Sequence, residues 1–525
     1  MNPLARPWSK CWSVFRWVGL AAVAPALWAC TSRTLETPDT IPSAVVVQTV
    51  TQKIDNNLDL LFMVDNSSSM QTMQQKLLAQ LPAFMNILEG LPVKPNLHVA
   101  VVSSDMGAKS DNVIPECSRY GNQGQFQVAP EGACTTTITP GDNYISDVDG
   151  VANFTANIAD VFQCIAFLGS SGCGFEHQLA SIDRALGADG IGPPPSQNAG
   201  FLRPDAYLGI VMLTNEDDCS APDGTTIYST NGYMQSVSNP DGPVTNYRCN
   251  GGPRGGHLCQ DNNPGSPNTG YAPPPLVPPA DASGDPLMLQ LSACKDNDSG
   301  SSALIPVSKF VSDIRALKSD PDGQILVGEI IGPPTPYGVA WQHPDPSTAP
   351  ASALNELWPE VMHSCGAPTD EVLNPDPSTT VVTDGSFGDP GVREQAFANG
   401  FRNSLVGSIC DTDYSQSMTA IAKKLGQLLQ PPCITAKLQT DAMGYPACSV
   451  TETLTDAAQN VTSLALPNCN ENGDVAPCWT LEAGMNGCTG QTLKINETAA
   501  NMNAASENST LNCSLCLPGV PGPGC

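Results

Sequence analysis

A hard divalent cation needs several oxygens brought to one point. The segment Asp65-Asn66-Ser67-Ser68-Ser69 offers three at alternate positions. Asp65 supplies charge and Ser67 and Ser69 supply neutral hydroxyls, while water or an incoming carboxylate would complete an octahedron. Mg2+, Ca2+ and Mn2+ all suit such donors. Serine-rich loops are common, however, and Ser69 has the plainer alternative of capping a helix. Two further segments carry candidates. Gly169-Ser170-Ser171-Gly172-Cys173-Gly174-Phe175-Glu176 places Ser171 and Glu176 ahead of a helical stretch, where Glu176 has the alternative of complementing the helix dipole. Asn215-Glu216-Asp217-Asp218 follows an apolar run. Asn215 offers a neutral oxygen there and Asp217, with Glu216 and Asp218 beside it, offers charge; a solvated acidic turn is the alternative.

Chemistry of other kinds finds less support. Residues 174–178 read Gly-Phe-Glu-His-Gln, which lacks the two histidines of a zinc-protease helix, and Gly169-Ser170-Ser171-Gly172 lacks the spacing of a nucleophile elbow. Ser171 and His177 are close in sequence, as any loop could show. A binding protein rather than an enzyme is expected, with an exported hydrolase as the weaker reading.

The candidate residues need a scaffold that delivers loops to one place. Apolar runs at 59–64, 97–102, 207–213 and 325–331 read as strands buried on both faces. Helical periodicity follows at 69–91, 151–163, 174–187, 308–318, 394–405 and 415–429, and Pro82 is expected to kink or split the first of these. Strands alternating with amphipathic helices imply an α/β, doubly wound, mostly parallel sheet, in which ligands bind beyond the carboxyl ends of the strands. Asp65 and Asn215 both follow such ends. The sheet-forming region, 51–430, carries long Pro/Gly-rich insertions at about 221–300 and 333–392. After Pro431-Pro432 the composition changes, and 431–525 reads as a small, disulfide-rich β module.

Asp65-x-Ser67-x-Ser69 between a strand and a helix resembles the metal-ion-dependent adhesion site of von Willebrand factor A (vWA) domains. That resemblance implies a Rossmann-like fold, a divalent cation, and a protein partner whose acidic residue completes the cation's shell. Asn215 departs from the family's Asp, and Ser171 or Glu176 stands where a Thr is expected. Together with Asn215-Glu216-Asp217-Asp218-Cys219-Ser220, the Gly-Cys-Gly-Phe-Glu segment and Ser408-Ile409-Cys410, the chain is similar to cysteine-rich vWA lipoproteins of myxobacteria. A metal-free envelope scaffold stabilised by disulfides is the alternative, because the site departs from the family at two positions.

Composition sets the compartment. Arg6, Lys10 and Arg16 precede a short apolar run, so residues 1–29 read as a signal peptide too short to span a bilayer. Leu27-Trp28-Ala29-Cys30 resembles a bacterial lipobox. Cys30 would then be the lipidated first residue, and 30–50 a tether from the outer membrane, which the protein would touch only through that anchor. Trp28 departs from the pattern, and ordinary cleavage nearby is the alternative. Setting Cys11 and Cys30 aside leaves 18 of the 20 cysteines, an even set that reads as disulfides in an exported chain, with Cys164 and Cys173 spaced to clip the loop between them. Cys513-x-x-Cys516 has finger-like spacing but no matching pair nearby, so structural zinc is not expected. A net charge of -28 repels phosphate backbones and excludes nucleic acid as a partner.

Overall fold

The computed structural model describes residues 48–52, 56–91, 94–109, 114, 117–128, 138–229, 235–261, 270–280, 288–347, 349–366, 384–429, 434–455, 461–483, 490–496, 506–516 and 525. The signal peptide, Cys30 and the tether up to residue 47 lie outside these, as do Pro431-Pro432 and the Pro/Gly-rich tail at 518–524.

The centre is a seven-stranded sheet. Across it run Ser404–Ser408, Ile325–Ile331, Tyr207–Leu213, Asn57–Val64, Asn96–Ser103, Ile145–Val148 and Val151–Ala152. The first five are mutually parallel, and the last two form an antiparallel edge hairpin. The expected strands are all present. Ser404–Ser408 was not expected as a strand, because its edge position leaves it partly exposed and without the apolar run that marks a buried strand. The strand 57–64 shows how the sheet is covered. Leu60, Phe62 and Val64 face one cluster with the helices Gln71–Glu89, Ile158–Ala166 and Ser415–Leu428. Leu61 and Met63 face the other, with Gln178–Leu186, Val307–Arg315 and Val392–Ala398.

Pro82 neither splits nor ends its helix, which runs unbroken over Gln71–Glu89. A proline in a helix interior orphans the carbonyl four residues back. Here that carbonyl belongs to Leu78, and the Gln163 side-chain amide donates to it at 2.7 Å. A neighbouring helix thus replaces the missing bond.

The two insertions are not loose loops. His257–Gln260, Tyr271–Ala272 and Leu289–Asp296 from the first join Tyr337–Gln342 and Trp358–Val361 from the second in one five-stranded antiparallel sheet. Three strands pair within the first insertion and two within the second, and the contact of Tyr337–Gln342 with Leu289–Asp296 that joins them is legible only in three dimensions. The C-terminal module is β-rich as expected, with sheets formed by 448–455, 461–466 and 506–513 and by 478–483 and 491–496. Its first sheet also takes in Gln48–Gln52, antiparallel to Ser506–Cys513. The end of the expected tether is therefore a strand of this module.

Every described cysteine is disulfide-bonded. Cys173 pairs with Cys117, not with Cys164, so the expected clip is corrected: the loop before Gln178 is tied to a neighbouring loop rather than to the preceding helix. Cys513 pairs with Cys448 and Cys516 with Cys525, which leaves no thiol of that pair for zinc.

Two strand glycines let the helix Ser415–Leu428 lie close on the sheet. A Cβ at Gly328 would meet Ile421 Cδ1 at 2.6 Å, and one at Gly209 would meet Leu60 Cδ2 at 2.6 Å and Leu425 Cδ2 at 3.1 Å. Overpacking of a closed core costs about 1–3 kcal/mol. Gly328→Val is expected to lower stability by that amount, read as a lower urea midpoint; an unchanged midpoint would mean the helix yields freely.

Candidate functional site

The order of the sheet reverses between the strands 57–64 and 207–213, whose chain connections leave to opposite sides, and an open α/β sheet forms its ligand crevice at such a point. Asp65 follows the first strand and Thr214 the second. Asp65 is fully buried. Its Oδ1 accepts from the Ser67 amide at 2.8 Å and the Ser104 hydroxyl at 3.0 Å, and its Oδ2 accepts from the Thr214 hydroxyl at 2.8 Å. One carboxylate thereby joins the ends of three adjacent strands. Gln74, in the first turn of the following helix, donates to the Asp65 and Gly169 carbonyls, both at 2.7 Å, and adds the loop before Gln178 to the same cluster.

Neutral oxygens gather in front of this carboxylate. The Ser67 and Ser69 hydroxyls lie 3.5 Å apart, and Ser69 donates to Asn215 Oδ1 at 3.1 Å. Ligands at adjacent corners of an octahedron are separated by about 3.0 Å for metal–oxygen bonds near 2.1 Å and by about 3.4 Å for bonds near 2.4 Å. The spacing fits such corners. Asn215 Nδ2 and Asn66 Oδ1 are buried without a hydrogen-bond partner.

Acidic groups surround the oxygens. Glu176 is buried with Oε1 unpartnered. Burial pushes its carboxyl well above the usual range, and the charges of Glu216 and Asp65 push it further. Glu216 is raised to about 8 by burial, then by the charges of Asp389 and Asp65. Asp65 is raised by burial against the pull of its three donors. These raised carboxyls want positive charge, and a divalent cation would supply it. Among the described residues no group of three or more His, Cys, Asp or Glu side chains is arranged to hold a metal by itself. A cation here would rest on the hydroxyl and amide oxygens of Ser67, Ser69 and Asn215, with the carboxylates balancing charge around them.

The other candidates separate. Ser171 is exposed on a loop held to Asn66 through the Gly172 amide, which donates to the Asn66 carbonyl at 2.7 Å. No hydroxyl contact ties Ser171 to the oxygen cluster, and Glu176 occupies the interior position of that loop. Asp217 turns away from the cluster. It is hydrogen-bonded to His257 through Oδ2 and accepts from the Arg393 amide at 2.9 Å through Oδ1. Burial alone would raise Asp217, but His257, the Glu394 carboxyl and Arg393 outweigh it and hold Asp217 below its usual range. Asp218 receives Arg393 Nη2 at 3.1 Å and the Leu179 amide at 3.0 Å, and Arg393 also reaches Asp296. The two aspartates thus clamp the inserted sheet and the helix 392–398 onto the central sheet. Glu216 faces the site instead. Its neighbours Asp217 and Asp218 look alike in the sequence, and only the direction of each side chain separates them.

His177, the possible base beside Ser171, is fully buried; neither ring nitrogen has a hydrogen-bond partner, and burial lowers its pKa to about 3. Ser171 and His177 form no nucleophile–base pair in this arrangement.

No protein-family profile matches the chain, and no curated protein does. Solved structures give distant likenesses. The von Willebrand factor domain of the type V pili tip protein Mfa5 from Porphyromonas gingivalis is 12% identical over 74% of this chain and 99% of that one, with a TM-score of 0.26. The pilus adhesin SpaC from Lactobacillus rhamnosus GG is 10% identical over 91% of this chain and 42% of its own length, at 0.25. The human COPII-coat protein Sec24c is 7% identical over 89% and 40%, also at 0.25. With likenesses this low, the fold is read from strand order and register alone.

The raised carboxyls set a pH dependence. Glu216 titrates higher in the folded chain than its ordinary 4.5. Its stabilising contribution in cation-free protein is therefore complete below about pH 4.5 and is lost as pH rises through about 8. The thermal midpoint of cation-free protein is expected to fall across that window, and Glu216→Gln to flatten the fall. Saturating Mg2+ should oppose it, since deprotonation favours the cation. A midpoint that climbs between pH 5 and 8.5 without cation would contradict the assignment.

Proposed function

We propose that this chain is an exported binding protein of the vWA type, whose site at the sheet's switch point holds a divalent cation and engages a partner through the cation's open positions. One observation carries the reading: the Ser69 hydroxyl lies 3.5 Å from the Ser67 hydroxyl and 3.1 Å from Asn215 Oδ1, near raised carboxyls, one of them with an orphaned buried oxygen. The bound cation would act as a Lewis acid that accepts an oxygen from the partner. Ser67, Ser69 and Asn215 orient it, Asp65 holds their loops together, and the disulfides Cys117–Cys173 and Cys219–Cys249 restrain the two loops that bring Glu176 and Glu216.

Location belongs to the same reading. Disulfide bonding at every described cysteine suits an oxidising compartment. No helix among the described residues is long and apolar enough to cross a membrane. Attachment through a lipidated Cys30 at the outer membrane, as the myxobacterial resemblance implies, completes the proposal.

Calorimetric titration of Mg2+, Mn2+ and Ca2+ into residues 31–525 tests it. One saturable site is expected, absent in Asp65→Ala and weakened about tenfold in Ser69→Ala, which keeps the Asp65 bonds intact. No binding, or equal binding in all three proteins, would favour a metal-free scaffold stabilised by its disulfides.

A further inference from the structure

A second cavity, of about 790 Å³, lies away from the oxygen cluster, and none of Ser67, Ser69 and Asn215 lines it. It is bordered by the helices Gln178–Leu186 and Val307–Arg315 and by the loops that follow the strands 96–103 and 207–213. Its size is that of a small-molecule site.

Most of the charge around it is balanced within the chain. Lys109 meets Asp223 at 2.8 Å, Arg184 meets Asp189 at 3.4 Å, and Lys309 is ion-paired with Asp313. The Arg119 guanidinium lies over the Tyr120 ring at 5.1 Å.

Asp183 is the exception. It is 2% exposed, and among the described charged residues of the lining it alone is buried. Ala180, Asp183 and Arg184 share the helix face turned to the cavity. No described group donates to Asp183 Oδ1. What faces the side chain from the next helix is another carboxyl, Asp313. Burial first, and the charge of Asp313 second, raise Asp183 to about 8; Asp189 adds to the rise and Lys309 opposes it. Two carboxyls thus share the ammonium of Lys309, and the pair is one positive charge short. In the empty cavity a proton takes that place.

The walls say which cation could replace the proton. A metal ion needs several oxygens, and among the described residues no group of three acidic, histidine or cysteine side chains is arranged for one. Beyond Asp183 the surface is largely apolar, with Met106, Ile305 and Phe310 inside and Tyr120 and Ile191 exposed at the mouth. One buried carboxyl in an aliphatic and aromatic wall suits an ammonium group carried on a hydrophobic body. The walls are also fixed before any ligand arrives. The Cys117–Cys173 disulfide and the Lys109 amide, which donates to the Arg119 carbonyl at 2.9 Å, hold one side, and Cys219–Cys249 holds the other.

We propose that this cavity binds a small primary amine with an apolar body, whose ammonium pairs with Asp183 and whose body lies along Phe310, Ile305 and Met106. No covalent step is involved; the displaced proton passes to solvent.

The test is calorimetric titration of phenethylamine, phenethyl alcohol and hydrocinnamate into the intact chain from residue 31, near neutral pH, in two buffers of different ionisation enthalpy. The amine is expected to bind about tenfold or more tighter than the alcohol, the worth of one hydrogen bond to a charged group. Its heat should depend on the buffer, because binding releases the proton held at Asp183. Hydrocinnamate should bind more weakly than either, and EDTA should change nothing. Asp183→Asn keeps the size of the side chain and should remove both the preference for the amine and the proton release, with a thermal midpoint no lower than the parent's. An amine preference that survives in Asp183→Asn, equal binding of the alcohol, or no binding of the amine by the folded chain would overturn the proposal. So would capture of a lysine-rich peptide by a chain that ignores the free amine, which would assign the cavity to a protein partner.

Discussion

The burial of one carboxylate organises this molecule. Asp65 sits where the central strand ends, shielded from water, and it is tolerable there because the Ser67 amide and the Ser104 and Thr214 hydroxyls point at it. Each donor comes from the end of a different strand. The parallel register that aligns 57–64 with 96–103 on one side and 207–213 on the other brings those three ends level. A slip of register would leave a buried charge without its donors, a loss of several kcal/mol in proteins generally. Sheet register and site geometry are therefore one constraint.

A second buried charge performs the corresponding task for the insertions. Arg393 is fully buried and divides its guanidinium between Asp218 and Asp296, one on the central sheet's loop and one at the end of an inserted strand. Asp217 receives His257 from the inserted sheet. Close by, Glu329 is buried with both carboxyl oxygens unpartnered and Glu394 is buried against Asp217; burial first, and the charge of Asp217 second, push both well above the usual range. Carboxyls shifted toward protonation beside paired aspartates limit the uncompensated charge of the layer between the sheets.

What could be read from the chain alone divides along physical lines. Strands buried on both faces announce themselves as apolar runs, so 207–213 and 325–331 have the same bounds in sequence and structure. Asp65, Ser67 and Ser69 are local in sequence, and their convergence follows from a strand, a turn and a helix. Asn215 was legible for the same reason. Glu216 was less so, because which of three consecutive acids faces inward depends on Arg393 and His257, far away in the chain. The joining of the inserted sheet was illegible, since Leu289–Asp296 and Tyr337–Gln342 come from two segments that meet only in the folded chain. Pro82 misled because its rescue by Gln163 is tertiary. The pairing of Cys173 with Cys117 likewise reflects neighbours in space rather than spacing.

The strand Gln48–Gln52 gives the architecture a mechanical direction. It precedes the central strand by a few residues, and the oxygen cluster begins at that strand's far end, about 26 Å away at 3.3 Å per residue. Tension between a ligand at Ser67 and the chain before residue 48 would run along the backbone of 57–64, which is hydrogen-bonded in parallel to both neighbours over its length. Pulled along its axis, that strand loads its ladders in shear, so many bonds must fail together rather than one after another. The inserted sheet lies off this line and could shape recognition without carrying the load.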